Sequence, residues 1–503
     1  MALKRQTIFG LLAPAFVFLV FLLPLHDGFT DDGFIHIQYA RNIVERGEYS
    51  FNPGEVSFGT SSPLWVLALA SVGRVAPGDE ALIHASRVFS WLSGFGALLG
   101  IYALALALGA RRLTAVLAAC AFAADVWFVR WTALSMESSA AVLTVVLMAL
   151  ASVRAFDDTR SAIRMGAFIA IASLIRPEVY LAFPVFAVAA LSHWRLLDKR
   201  KAVWTFAAAI ALLLPWLLFA RFHIGSFIPN TAGAKSGGLI LSPLLFAAKL
   251  KPVIKIVATS EALPALTLLL SLALLRGRSM VCAVRQRFLV LWVIAVPVAY
   301  VILDIQILSR YLLLVTPVLG VLGWAALEQL LDRFVRPGRR RTLLVAAVMT
   351  TVIANAVFYW SVVVPPSRAF TYDLMHGMKG LALHLHDNAD EDAVVAAADI
   401  GYLAFYGQRR VLDLGGLVEP ETGKLRARYS YEQIAAEGLY FDVKGYPRVD
   451  YFVDRDLKSN RLDGRTLAGH RFEKVYATTV RNLGIRKPGP YYYVLYRLIR
   501  TGD

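Results

Sequence analysis

IFGLLAPAFVFLVFLLPLHDGFTDDGFIHIQYARN, residues 8–42, is the stretch on which the fold of this chain turns. Residues 8–24 are almost wholly apolar, close to the roughly 20 residues a helix needs to cross a bilayer. Lys4 and Arg5 precede them. The run is longer than a secretory core of about 7–15 residues and no Ala-x-Ala cleavage site follows, so it reads as an uncleaved first helix. The chain then turns polar and acidic through His26, Asp27, Asp31, Asp32 and His36. Phe34, Ile37, Ala40, Arg41 and Val44 recur at helical spacing, with Thr30 or Asp31 as N-cap.

Further apolar runs follow at 88–109, 113–129, 138–153, 162–175, 179–193, 202–220, 258–275, 288–303, 311–331 and 342–364. With 8–24 they make eleven candidate spans. The shorter run 62–75 reads as an interfacial or re-entrant helix. Composition agrees: 57% of the 503 residues are hydrophobic and 17% charged, against roughly 45–50% and about 25% in soluble domains. That excludes a disordered chain and an ordinary soluble enzyme. Cys120 and Cys282 offer neither a disulfide framework nor a thiolate metal site and read as small buried hydrophobes.

The net charge of +16 raises the question of nucleic acid, but its distribution answers differently. Arg111-Arg112, the group Arg154, Arg160 and Arg164, the run Lys199-Arg200-Lys201, the set 276–287 and the run Arg339-Arg340-Arg341 all fall in short loops between apolar runs. With the N-terminus inside, eleven spans put every cluster in the cytoplasm and deliver residues 365–503 to the outside. The basic excess then marks the cytoplasmic face of a multi-pass membrane protein, with no nucleic acid as partner. Residues 365–503 hold 20 basic and 18 acidic residues, the balance of a soluble domain. Strand-like runs at 393–397, 410–414, 450–453 and 491–496 follow a helical pattern at 372–386. The expected fold is mainly α: a polytopic helical bundle over 1–364, with an external loop at 25–87, and an extracytoplasmic α/β domain over 365–503. No internal repeat of the transporter kind is visible.

The chemistry collects in the loops this topology places outside. Asp31 and Asp32 are adjacent, so repulsion raises one pKa and suits a proton-accepting role. The pair could also hold a divalent cation, but no third close ligand is visible and no metal or other cofactor is expected. Alternatively both merely favour the positive end of their helix. Glu137 opens an apolar run. Arg176-Pro177-Glu178 sits at membrane depth, where charge is paired or functional; an ion pair locking the hairpin is the plain alternative. The loop 221–235, with Asn230, Thr231 and Lys235, continues through Lys249, Lys251 and Lys255 and could cradle an anionic head group. Arg310, beside Tyr311, suits a phosphate through forked hydrogen bonds, or simply snorkels. Tyr402, Phe405, Tyr406, Trp360 and residues 491–493 could stack on sugar rings, although aromatics in short strands usually form core.

Several stretches in order resemble the GT-C superfamily of integral-membrane glycosyltransferases, and within it the arabinofuranosyltransferase branch that caps mycobacterial arabinan. They are Asp31-Asp32-Gly33-Phe34-Ile35, Tyr39-Ala40-Arg41-Asn42, Phe51-Asn52-Pro53-Gly54-Glu55, Thr60-Ser61-Ser62-Pro63-Leu64-Trp65 and Met136-Glu137. Arg176-Pro177-Glu178, Pro229-Asn230-Thr231, Ala234-Lys235, Arg310-Tyr311, Asp399-Ile400-Gly401-Tyr402 and the run Leu412-Asp413-Leu414-Gly415-Gly416-Leu417 complete the set. The resemblance implies transfer of one sugar from a polyprenyl phosphate to an extracytoplasmic glycan or lipid-linked acceptor of the cell envelope, with inversion. It makes Asp31 or Asp32 the base. It assigns Arg310, Lys235, Arg176 and Tyr311 to the donor phosphate. Glu137, Glu178, His36, Asn230 and Thr231 would orient the acceptor or the base. A flippase for a lipid-linked substrate, or a ligase or polymerase using a polyprenyl diphosphate, is the competing expectation.

Overall fold

The computed structural model describes the chain except residues 1, 193–198, 231–237, 241, 276–285, 427, 444–445, 447, 486 and 502–503. Thr231, Lys235 and Cys282 lie outside the described residues. The chain divides into two compact units: 1–26, 88–216 and 236–361 form the first, and 27–87, 217–235 and 362–503 the second.

Helices occupy every apolar run singled out in the sequence, from Ala2–Leu22 to Pro337–Phe358. Among the described residues, Asp79–Ala107, Lys199–Ile224 and Pro337–Asn388 are long and apolar enough to cross a membrane. Two bent pairs raise the number to five: Arg112–Ala123 with Val126–Ala133, at 57°, and Pro243–Ser260 with Ala262–Leu275, at 104°. Other apolar helices, such as Ser138–Ser152, Pro177–Leu191 and Arg287–Ile302, are shorter than a full span, so the count of eleven crossings stays a proposal. Pro243–Ser260, which holds Lys249, Lys251 and Lys255, is a helix where the sequence predicts a loop, since its lysines interrupt the apolar run.

Local chemistry explains the breaks that matter in the first unit. The helix Thr159–Ile175 ends because Pro177 forbids helical geometry at the residue before it, and Arg176 is extended at φ −143°, ψ 115°. Asp125 caps Val126–Ala133, accepting from Trp127 N at 2.9 Å and Phe128 N at 2.8 Å. Gly323 lets Thr316–Phe334 press directly on Ala262–Leu275, since a Cβ there would overlap the backbone of Pro264.

The second unit pairs the helix Asp31–Arg46 with Pro63–Val75 and carries a six-stranded sheet. The strands are β1 (Val394–Ala397), β2 (Arg410–Asp413), β3 (Tyr451–Asp456), β4 (Thr466–Leu467), β5 (His470–Leu483) and β6 (Lys487–Arg500), in the order β2-β1-β3-β6-β5-β4. β1 lies parallel to β2 and β3, and the other pairs are antiparallel. Between β1 and β2 runs the helix Gly401–Gly407. Leu412, Leu414, Phe452, Phe472, Val494 and Tyr496 form the core with Ile434 and Tyr440. β1, β2, β3 and β6 fall on the runs expected. β5 was not foreseen: only Phe472 and Val480 along it are buried, so its apolar alternation is weak.

Candidate functional site

Thr30 is the N-cap of Asp31–Arg46, and its Oγ1 accepts from Gly33 N at 3.3 Å. Asp31 and Asp32 therefore occupy the first turn, at the positive end of the helix. Asp31 is held by the backbone of a distant segment: its Oδ2 accepts from Gly401 N at 3.0 Å and its Oδ1 from Tyr402 N at 2.9 Å. Only glycine fits at 401, because a Cβ there would overlap the carbonyl oxygen of Asp31. Asp399, two residues earlier, accepts from Arg455 Nη1 at 2.6 Å and from Tyr493 OH at 2.8 Å. Desolvation and then the charge of Asp399 push Asp31 from 3.8 up to about 7, against the two backbone N–H groups that pull it down. Each carboxylate oxygen of Asp31 keeps a further lone pair, so this group is aimed by the backbone and still able to take a proton.

Several other side chains of the helix and of the loops around it are engaged by the protein itself. His36, expected to orient a substrate, is buried with Nδ1 2.8 Å from Thr60 Oγ1. Tyr39 OH lies 2.6 Å from Ser57 Oγ and accepts from Gly59 N at 2.9 Å. Asn52 pairs with a strand as if it were backbone: its Nδ2 donates to Val411 O at 2.9 Å and its Oδ1 accepts from Val411 N at 3.0 Å. Asp413 is fully buried and accepts from Gly415 N at 2.7 Å and Val418 N at 2.9 Å, with Leu417 N as a third donor. Burial nonetheless raises it to about 6. The motifs at 51–55 and 412–417 thus shape loops. Asn230 donates its backbone N–H to Phe58 O at 3.0 Å and lines a 280 Å³ cavity with Glu55, Arg410, Glu419 and Tyr446.

In the first unit, five of the sequence candidates come together. Arg176 is buried, and its Nη2 is 2.8 Å from Glu137 Oε1 and 3.4 Å from Ser138 Oγ. Its Nη1 is 3.6 Å from Glu178 Oε1. Arg310, also buried, stands 5.2 Å over the ring of Trp131 and 5.4 Å over Tyr311, with Nη1 3.7 Å from Met136 Sδ. Tyr311 also faces Arg176 at 5.6 Å and accepts at its carbonyl from Tyr300 OH at 3.4 Å. Two guanidiniums and two carboxylates balance. Arg176 carries the ion pairs, while Arg310 is flanked by aromatic faces and a thioether.

Sequence reasoning missed Asp399 as the source of the electrostatic pressure on Asp31, and missed the carboxylates Asp125 and Glu261 buried in the first unit. Both of the latter lie where a helix bends, and a charged residue at a break inside apolar sequence was the available signal. Tyr402 and Phe405 are core, and Tyr406 is half-buried against Phe405. Among the described residues, no group of three or more His, Cys, Asp or Glu could hold a metal ion.

The fold has counterparts among solved structures. The oligosaccharyltransferase of Archaeoglobus fulgidus, tethered to an acceptor peptide, superposes with a TM-score of 0.61 at 14% identity, covering 90% of this chain and 69% of that one. ArnT from Cupriavidus metallidurans in the apo state gives 0.59 at 14% identity over 99% of this chain and 98% of that one. The same ArnT bound to undecaprenyl phosphate gives 0.56 at 14% identity over 98% of each chain. A family model described as a domain of unknown function, DUF8728, matches residues 371–496. A search of curated proteins finds no match. These likenesses establish the fold alone: mainly helical, with several apolar helices and a C-terminal sheet domain, as in the oligosaccharyltransferase and ArnT structures.

Proposed function

We propose that the chain is a glycosyltransferase that moves a single sugar from a polyprenyl phosphate to an acceptor hydroxyl. The observation that carries this reading is the full-length likeness to an ArnT structure bound to undecaprenyl phosphate. The environment of Asp31 supports it independently. A base works best when its pKa lies near the working pH, and Asp31 is raised to about 7.

In this reading Asp31, or Asp32 beside it, takes the proton of the acceptor hydroxyl. The oxygen attacks the anomeric carbon, and the bond from that carbon to the phosphate oxygen breaks with inversion. Polyprenyl phosphate leaves with the bonding electrons. Arg310 offsets the charge growing on that phosphate. Arg176 contributes through a guanidinium that Glu137 and Glu178 hold in place, so the two glutamates position a cation. Lys235, Tyr311, Asn230 and Thr231 remain candidates for donor or acceptor contacts, and no metal takes part. The motif resemblance favours an arabinofuranosyl donor and a cell-envelope glycan, with the C-terminal domain and Asp31 outside an inner membrane crossed eleven times.

Purified protein in nanodiscs, given polyprenyl-phosphate sugars and no nucleotide sugar, is expected to extend a glycan acceptor by one residue, read by mass spectrometry. Movement of the lipid between leaflets without a covalent product would replace this reading with transport, and addition of a preassembled block would replace it with ligation.

A further inference from the structure

A second cavity in the second unit, of about 610 Å³, lies beside the C-terminal half of Asp31–Arg46. Its volume is that of a ligand site. It stands apart from Asp31: Arg41 in its wall is ten residues further along the helix, about 15 Å at 1.5 Å per residue. The same two helices reach both places, since Gly401 bonds Asp31 while Phe405 O accepts from Arg41 Nη1 at 2.9 Å.

Part of the wall is rigid. Arg41 grips Asp79 through Nε at 2.8 Å and through Nη2, and its guanidinium lies 3.8 Å over the ring of Phe405. The rest of the wall is exposed polar side chains, Glu45, Arg46, His386, Glu391 and Gln408, open to a ligand. The charges about the cavity cancel only once its pairs are counted: Arg41 is paired with Asp79 and Arg410 with Glu55, which leaves Arg46 and Arg409 against Glu45 and Glu391, and that does not suit a phosphate or a polyanion. Forked, amide and carboxylate groups in balance suit a neutral ligand with many hydroxyls, each hydroxyl able to donate and accept.

Gln408 adds a second, independent sign. It caps the helix Gly401–Gly407 in the left-handed conformation, at φ 50° and ψ 34°. Glycine takes that position without steric cost. A glutamine there carries strain, and it lines the cavity.

We propose that this cavity is a binding subsite for a neutral oligosaccharide, the glycan chain of the acceptor; the proposal rests on the glycosyl-transfer reading above. The site holds the chain at a distance from the hydroxyl that reacts.

The test is isothermal titration of the full-length protein in nanodiscs, with no donor, using short neutral pentose and hexose oligosaccharides and inorganic sulfate as probes. Oligosaccharide binding is expected, with little sulfate binding. Arg46→Ala and Gln408→Gly are each expected to weaken it about tenfold, the loss of one hydrogen bond to a charged or well-aligned group. Gln408→Gly is also expected to keep or raise the thermal midpoint, because it relieves the left-handed strain; weaker binding in a protein at least as stable excludes misfolding as the cause. Unchanged binding in both variants, or binding of sulfate alone, overturns the subsite. Sugar transfer without oligosaccharide binding defeats this proposal and spares the transferase reading. Binding without transfer does the reverse.

Discussion

Two charged clusters, one in each unit, solve opposite problems. In the first unit Arg176 is sealed from water, and its charge is answered by Glu137 at 2.8 Å and Glu178 at 3.6 Å. In the second, Asp31 meets another carboxylate, Asp399, and its hydrogen bonds come from backbone N–H groups of Gly401 and Tyr402. Paired side chains fix a charge permanently. Backbone donors aim a carboxylate while a like-charged neighbour leaves it free to gain or lose a proton near neutrality. The first arrangement suits holding a guanidinium in place, and the second suits proton transfer.

The sharpest break of this contrast is at Asp31. Asp31→Asn keeps the size and removes the base, so sugar transfer is expected to fall ~10²–10⁴-fold. Asp32→Asn measured in parallel decides which member acts. In the wild type, transfer should rise with pH through about 7 and level off above it, as Asp31 loses its proton. If Asp31→Asn transfers at the wild-type rate, Asp31 is an anchor for Gly401 and Tyr402 and no more.

Next is the ion pair. Glu137→Ala leaves Arg176 buried with the longer contacts to Glu178 and Ser138, and a loss of about 3–5 kcal/mol in stability is expected, as for other broken buried pairs. The double variant Glu137→Gln with Arg176→Met should recover part of that loss in stability without recovering transfer. A Glu137→Ala protein as stable as the wild type would show that Arg176 does not depend on its partner.

Stability as a function of pH sharpens the comparison further. A carboxyl with a folded pKa raised from 3.8 to about 7 binds more protons folded than unfolded between those values. The fold should therefore weaken as pH rises from about 4 to about 7 and change little above, read as the thermal midpoint in detergent. Asp413, raised to about 6, adds a slope of the same sign. Asp31→Asn should reduce the slope and leave the part due to Asp413. A slope identical to wild type would place the titration elsewhere.

The smallest expected effect is at the cap. Thr30→Ala removes one acceptor for Gly33 N and should cost about 1 kcal/mol of stability. Transfer should fall as well if the aim of Asp31 depends on a well-set first turn, which ties the helix start to the chemistry.

Much of this was legible along the chain. The apolar runs named the helices because burial in lipid or in a bundle demands continuous apolar surface, a property of composition. Pro177 announced a break, Glu137, Arg176, Glu178 and Arg310 were named as candidates from charge placed against apolar sequence, and Tyr311 from the motif resemblance. Where signals were weak, the reading failed for identifiable reasons. Lysines hid the helix Pro243–Ser260, and two-sided exposure hid β5. The motifs at 51–55 and 412–417 carried polar residues whose partners turned out to be backbone groups within the same unit.

The sequence by itself determined the kind of chain this is: apolar helices, a basic excess gathered in short loops, and an acidic pair opening the first polar helix. Those are sums and periods over neighbouring residues, so they need no fold to be read. Only the tertiary structure decided that Arg176 is spent on Glu137, that His36 is tied to Thr60, and that Asp31 answers to Asp399 and Gly401. The physical reason is that hydrogen bonding and charge act over a few ångströms of space, and Asp31 reaches those few ångströms from Gly401 across 370 residues of chain.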